Sequence, residues 1–89
     1  MNLQYAEALK AKAAGRRNEA IDWFTKAANG GKVEAMLALG DLYNGGETQE
    51  DGAKAVSWYE KAAKEGNVEA MRKLGICYQT GRGGKTEDF

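Results

Sequence analysis

The sequence is dominated by an internal repeat with a period of 35 residues. The stretch AIDWFTKAANGGKVEAM (20–36) aligns without a gap on AVSWYEKAAKEGNVEAM (55–71). Farther along the chain, the same shift superposes identical residues: Leu39 on Leu74, Gly40 on Gly75, Tyr43 on Tyr78 and Gly46 on Gly81. Periods of roughly 20 to 50 residues are typical of repeat arrays, in which each unit packs mainly on its neighbours. The chain is therefore predicted to form a tandem array.

Residues within one unit are spaced as in helices. In NVEAMRKLGICYQTG (67–81), an apolar face recurs at steps of three and four, at Val68, Met71, Leu74, Gly75 and Tyr78. Asn67 precedes this face as the predicted N-cap, and Gly81 follows it as the predicted end of the helix. No window alternates apolar and polar residues with β-branched enrichment, so strands are not expected.

The segment DGAKAVSWYEKAAKEG (51–66) predicts a second helix, with Asp51 as its cap and Gly66 as its end. Its buried face is predicted to contain Ala55, Trp58 (or Tyr59), Ala62 and Ala63. Each unit is then two short antiparallel helices. The predicted fold class is all-α, a single domain over 1–89 built as an α-α superhelix (solenoid) of roughly five helices.

Charge and residue content exclude several classes of function. Thirteen basic and thirteen acidic residues are interspersed, so the basic footprint of a nucleic-acid binder is missing. With one cysteine and no histidine, an internal disulfide and the usual zinc patterns are excluded, and neither a metal nor a cofactor is predicted. No apolar run approaches the roughly 20 residues of a membrane span. The N-terminal MNLQYAEALKAK has no signal-peptide core, which favours a soluble, cytoplasmic protein over a secreted one.

The run GRGGKT (81–86) is similar to a phosphate-binding loop, but its context is wrong. A G-x-x-x-x-G-K-[ST] loop needs a glycine five residues before Gly84, and Gln79 occupies that position. Such a loop also follows a strand and opens a helix, whereas here a helix is predicted before it. The run is interpreted as a link between paired helices.

The segment LGDLYNGGETQEDGAKAVSWYEKAAKEGNVEA (39–70) resembles a Sel1-like repeat. The resemblance is carried by Ala35, Leu39, Gly40, Tyr43, Gly46, Asp51, Trp58, Tyr59, Lys61, Ala62, Ala63 and Gly66. AAGRRNEAIDWFTKAA (13–28) is more similar to a hairpin of the related tetratricopeptide repeat. The resemblance implies units at about 1–31, 32–66 and 67–89, the last of them truncated.

This resemblance implies a non-enzymatic scaffold or adaptor that binds a protein or peptide, with no nucleic-acid or membrane partner. In tetratricopeptide-like arrays, the first helix of each hairpin lines a concave groove in which partner segments dock. Carried over to this chain, the non-repeating groove positions are Tyr5, Leu9, Lys12, Leu37, Asp41, Asn44, Arg72, Ile76 and Gln79.

Two alternatives remain open at this point. Cysteine-rich relatives of the repeat are associated with binding and hydrolysis of β-lactams, but they carry paired cysteines and this chain has one. The second alternative is a self-associating structural repeat, in which the apolar C-terminal end of the array stacks on another copy.

Several conspicuous side chains are interpreted as structural. Residues that recur with the period usually fill the space between helices, so Trp23, Trp58, Tyr43 and Tyr78 are assigned to the core. Cys77 is expected to be a buried or half-buried thiol, since no histidine is present to activate it. The basic residues at 10, 12, 16 and 17 alternate with acidic ones and indicate a solvated face.

Overall fold

The computed structural model describes residues 3–46 and 48–80. These residues form five α-helices and no strand, which confirms the predicted all-α fold. The helices are α1 (Leu3–Ala13), α2 (Arg17–Asn29), α3 (Val33–Asn44), α4 (Gln49–Lys64) and α5 (Val68–Thr80). Each helix packs chiefly on its neighbours in sequence, as in a solenoid. The array measures 40 × 27 × 16 Å.

Three of the links between helices use the same glycine turn. Gly15, Gly31 and Gly66 have φ angles of +78°, +98° and +94°, a region that side chains with a Cβ rarely adopt. At Gly66, the glycine N–H donates to the Ala63 carbonyl at 2.9 Å, and the next N–H donates to the Ala62 carbonyl at 3.1 Å. This pair of bonds satisfies carbonyls that the helix end leaves open. The predicted helix end at Gly66 is confirmed, whereas the one at Gly81 lies outside the described residues.

One of the two predicted N-caps is correct. The Asn67 side-chain oxygen accepts the Ala70 N–H at 2.7 Å, which confirms Asn67 as the cap of α5. The prediction of Asp51 as the cap of α4 is wrong, because the cap is Thr48, whose hydroxyl accepts the Asp51 N–H at 3.0 Å. Thr48 has the extended backbone of a capping residue, while Asp51 lies in the first helical turn, where its charge complements the helix dipole.

The core is built largely from alanine. Nine of the fifteen buried hydrophobic residues in the described part of the chain are alanines, which lets the helix axes approach closely. The largest fully buried side chains are Tyr59, Phe24, Leu39 and Val56. Gly40 lets α3 and α4 approach closely, since a Cβ built on it would lie 3.0 Å or less from three atoms of the Tyr59 ring.

The structure distinguishes between the two aromatic residues that the sequence left open on α4. Tyr59 is fully buried, and Trp58 is only partly buried at the edge of the core. The first repeat shows the same arrangement, with Phe24 fully buried and Trp23 at the edge. Each indole is covered by the lysine three residues later, with Nζ 4.7 Å from the Trp23 ring centroid and 4.3 Å from that of Trp58. The tryptophans therefore cover the edge of the core, and Phe24 and Tyr59 fill its interior.

Only part of the predicted apolar face of α5 is covered: Leu74 and Tyr78 are partly buried against the core cluster that contains Tyr59. Among the described residues of this helix, only Ala70 and Cys77 are buried, which confirms the expectation of a buried thiol at Cys77. Val68 and Met71, at the start of the predicted face, are 75% and 48% exposed. The equivalent residues on α3, Val33 and Met36, are part of the core. No described helix covers Val68 and Met71 on α5 in the same way.

Candidate functional site

The nine residues predicted for the groove lie on α1, α3 and α5, and they are called the first-helix surface below. Three of them are partly buried: Tyr5, Leu37 and Asp41. The other six are exposed: Leu9, Lys12, Asn44, Arg72, Ile76 and Gln79. The surface thus has a base held by the helices and a layer of side chains open to solvent.

Tyr5 and Leu37 belong to the base. The Tyr5 ring is tilted by 58° to the Phe24 ring, with 5.9 Å between the centroids, a geometry that aromatic pairs favour. The Lys32 ammonium lies 5.1 Å from the Tyr5 ring centroid on the link before α3. Leu37 packs against both core clusters, the one centred on Phe24 and the one centred on Tyr59. Contacts with the core therefore fix the positions of both side chains.

Asp41 is the junction of three helices. The Tyr59 hydroxyl on α4 donates to Asp41 Oδ1 at 2.6 Å, and Lys73 Nζ on α5 donates to the same oxygen at 2.7 Å. Lys73 also lies 3.9 Å from Glu69 Oε2, and Arg72 pairs with Glu69. These polar contacts join α5 to the preceding repeat beside the alanine contacts of the core. Asp41 is consequently a fixed part of the surface.

The environment of Tyr59 keeps its hydroxyl protonated. Burial is the main reason that its pKa lies far above the ordinary value of 10.0. The hydrogen bond to Asp41 and the charge of Asp41 raise the pKa further, while a hydrogen bond with Asn44 lowers it. Because tyrosinate would have to form without water beside a carboxylate, the neutral phenol persists as a donor.

Sequence reasoning missed this junction, although the sequence contains a signal for it. At the shift of 35 residues, the first repeat has Phe24 at the position of Tyr59 and Ala6 at the position of Asp41. The second repeat thus gains a hydroxyl and an acceptor together. A buried hydroxyl normally has a partner, so the paired change indicates a contact between the two positions.

Leu9 and Ile76 are the apolar side chains of the surface that face solvent. They are 44% and 49% exposed and lie on α1 and α5, and Asp41 lies on α3, between these two helices in chain order. Exposed Lys12 and Arg72 add positive charge on the same two helices. The surface therefore offers two apolar contacts, amide groups and cations around a fixed carboxylate.

The tyrosines Tyr43 and Tyr78 lie at the edge of the core and carry polar contacts. The Arg17 guanidinium and the Lys54 ammonium lie 5.9 and 5.4 Å from the Tyr43 ring centroid. The Tyr78 hydroxyl donates to Glu60 Oε2 at 2.9 Å, and this hydrogen bond raises the pKa of Tyr78. These contacts join the edges of neighbouring helices.

The basic stretch between α1 and α2 has acidic partners. Lys10 lies 3.7 Å from Glu7, and Arg16 lies 3.5 Å from Glu19. These pairs agree with the interpretation of this stretch as a solvated face. In the part of the chain that the structure describes, no cluster of three or more possible ligands could hold a metal ion. No helix there has the length and apolar character needed to cross a membrane.

Comparison with known proteins gives the family. The Sel1 repeat family matches residues 17–32, 33–67 and 68–89. The second of these stretches contains α3 and α4 entirely. No curated protein and no solved structure matches the chain. Because the matched stretches cover well over half of the sequence, the resemblance is confirmed and the chain belongs to the Sel1 repeat family.

Proposed function

We propose that this chain is a non-enzymatic scaffold that binds an extended segment of a partner protein across the first-helix surface. Sel1 repeats are generally protein–protein interaction modules. The units of the array, at about 1–31, 32–66 and 67–89, each contribute one helix to this surface.

The observation that carries the proposal is the contrast between the fixed base and the exposed side chains above it. Tyr5, Leu37 and Asp41 are held by the core and by hydrogen bonds, whereas Leu9 and Ile76 expose nearly half of their surface. These positions differ from repeat to repeat, while the core positions recur. Side chains that vary on a constant framework are suited to recognising a particular sequence.

The mechanism follows from the rigidity of the base. A partner segment that docks on ordered helices loses its own conformational entropy, but the helices lose little more. The segment that fits has two apolar side chains to contact Leu9 and Ile76. Acidic groups at its ends would complement Lys12 and Arg72.

The test compares two double variants in affinity capture from the lysate of the source organism. Leu9→Glu with Ile76→Glu alters the surface at exposed positions, so the core stays intact. The matched control, Asn18→Glu with Ser57→Glu, changes exposed residues of α2 and α4 and adds the same charge. Asp41 is left unchanged because its replacement would break the contacts with Tyr59 and Lys73.

Captured proteins are identified by mass spectrometry, and circular dichroism confirms that both variants are helical. We expect a partner that the wild type and the control retain and that the Leu9/Ile76 variant loses. A partner bound equally by all three proteins would show that recognition uses another face, and the proposed surface would be wrong.

A further inference from the structure

The carboxylate of Asp41 has one oxygen that the junction of α3, α4 and α5 uses and a second that the junction does not use. The Tyr59 hydroxyl and Lys73 Nζ both donate to Oδ1, at 2.6 and 2.7 Å. Among the described residues, no hydrogen bond reaches Oδ2. A carboxylate has about four acceptor sites on its two oxygens, so Oδ2 keeps its capacity to accept. The Asp41 side chain is 38% exposed within the first-helix surface, where a docked segment could reach it.

The two donors on Oδ1 also fix the direction of Oδ2. They come from α4 and α5, and Tyr59 is fully buried, so the carboxylate cannot turn without losing a contact with another helix. A group that is already fixed before a partner arrives loses little conformational entropy on binding. Oδ2 is therefore a preorganised acceptor on α3, the middle one of the three first helices in chain order.

The charges around Asp41 select the kind of donor that Oδ2 can take. Lys73, 28% exposed, already neutralises the carboxylate, and Lys12 and Arg72 are further cations of the same surface. A lysine or arginine of the segment would bring another positive charge beside Lys73, and an acidic group would meet the carboxylate itself. Like charges placed together weaken binding and exclude wrong partners. A neutral donor, a hydroxyl or a carboxamide, meets neither repulsion.

We propose that Asp41 determines specificity in the first-helix surface, because its Oδ2 accepts a hydrogen bond from a neutral side chain of the docked segment and repels an acid at that place. This inference rests on the proposed function, since it needs a segment that docks across the surface. It adds one position of defined chemistry, facing α3, to the apolar contacts at Leu9 and Ile76.

Asp41→Asn reverses the chemistry of this position and keeps the junction. The amide Oδ1 can still accept from Tyr59 and Lys73, whereas the amide nitrogen only donates. Because Oδ1 must stay toward these two donors, the NH₂ group takes the place of Oδ2. The variant donates where the wild type accepts, and Lys73 loses its counter-charge, so both changes favour an acidic side chain in the segment.

The probes are peptides selected on the full chain from a phage-displayed random library. A parallel selection on Leu9→Glu with Ile76→Glu identifies the peptides whose binding needs the first-helix surface. In these peptides, each polar position is changed in turn to glutamine and to glutamate, which have the same shape and differ in charge. Fluorescence anisotropy of the labelled peptides measures both affinities. At one position, the wild type should bind the glutamine peptide about tenfold more tightly than the glutamate peptide.

Asp41→Asn should bind the glutamate peptide at least as tightly as the glutamine peptide. The matched control, Asp22→Asn, removes the same charge from an exposed residue of α2 and should keep the wild-type preference. Lys73→Met gives a second reading that leaves the carboxylate in place. Without the neighbouring cation, a peptide with lysine at the same position should gain affinity relative to the glutamine peptide. Circular dichroism establishes that each variant is helical.

The outcomes separate this inference from the proposed function. If Asp41→Asn is helical and keeps the wild-type preference for glutamine, Asp41 does not read the segment, although the surface still binds it. An unchanged ratio of lysine to glutamine affinity in Lys73→Met would overturn the inference as well, even with Asp41→Asn unfolded. A library without any peptide that depends on Leu9 and Ile76 would overturn the proposed function and this inference together.

Discussion

The substitution of glycine by alanine at the two equivalent positions, Gly40 and Gly75, should have opposite effects on stability. Both glycines lie inside helices and neither has a positive φ, so in each case alanine gains about 1 kcal/mol of helix propensity. At Gly75 that gain is unopposed, because the new methyl group meets no atom of the described chain outside its own turns. Gly75→Ala should therefore raise the free energy of unfolding by up to about 1 kcal/mol.

At Gly40, the same methyl group meets the Tyr59 ring. Three ring atoms lie 3.0 Å or less from the new Cβ, nearer than carbon atoms can approach without a shift of the helices. Tyr59 is fully buried, and its hydroxyl is held by Asp41, so the ring cannot move aside freely. Overpacking of this kind costs about 1–3 kcal/mol. After the propensity gain, Gly40→Ala should lower the free energy of unfolding by up to about 2 kcal/mol.

Urea unfolding followed by circular dichroism at constant pH measures both variants against the wild type. In a domain of this size, 1 kcal/mol corresponds to a change in Tm of about 4–8 °C, so thermal melts provide a second reading. A third variant, Gly40→Ala with Tyr59→Leu, removes the ring and should reduce the penalty of the alanine. Equal changes at Gly40 and Gly75 would refute the conclusion that the Tyr59 ring packs against Gly40 and that the space beside Gly75 is open in the described chain.

Three further predictions concern the junction and the thiol. The pKa of Tyr59 is raised by folding, so its contribution to stability is fully present below the unfolded value of about 10 and decreases as the pH rises above it. In Tyr59→Phe, unfolding measured between pH 8 and 11 should show a smaller decrease, and the remainder is expected from Tyr78, whose pKa is raised as well. Lys73→Met should lower the free energy of unfolding by at most about 1 kcal/mol, because Lys73 and Asp41 are both partly exposed, and 1 M salt should reduce the difference from the wild type. Cys77 is 2% exposed, so a thiol reagent should react with it only at the rate of opening of α5; rapid reaction in native buffer would contradict the burial of this thiol.

The sequence by itself determined the features that depend on local spacing. The period of 35 residues implied two helices per unit, and Gly66 and Asn67 marked the end of one helix and the cap of the next. These features could be predicted because a turn with positive φ or a capping hydrogen bond involves residues only a few positions apart. The Sel1 repeat family was recognisable for the same reason, since its residues recur at constant intervals.

Only the tertiary structure decided which of two adjacent or nearby residues takes a role. Trp58 and Tyr59 are about 100° apart on the helix, and both border the apolar face, so periodicity could not tell the buried ring from the edge ring. Thr48 and Asp51 are both residue types that cap helices. In the structure the cap is Thr48, which accepts the Asp51 N–H.

The groove residue Asp41 shows the same limit for the candidate site. Its partners, Tyr59 and Lys73, are 18 and 32 residues away and lie on other helices. A repeat pattern specifies which positions recur, but contacts between repeats depend on how the helices stack. The exposure of Val68 and Met71 on α5 also depends on tertiary structure. Their sequence matches a face that is covered in the preceding repeat. Only the packing of the helices shows that no described residue covers them on α5.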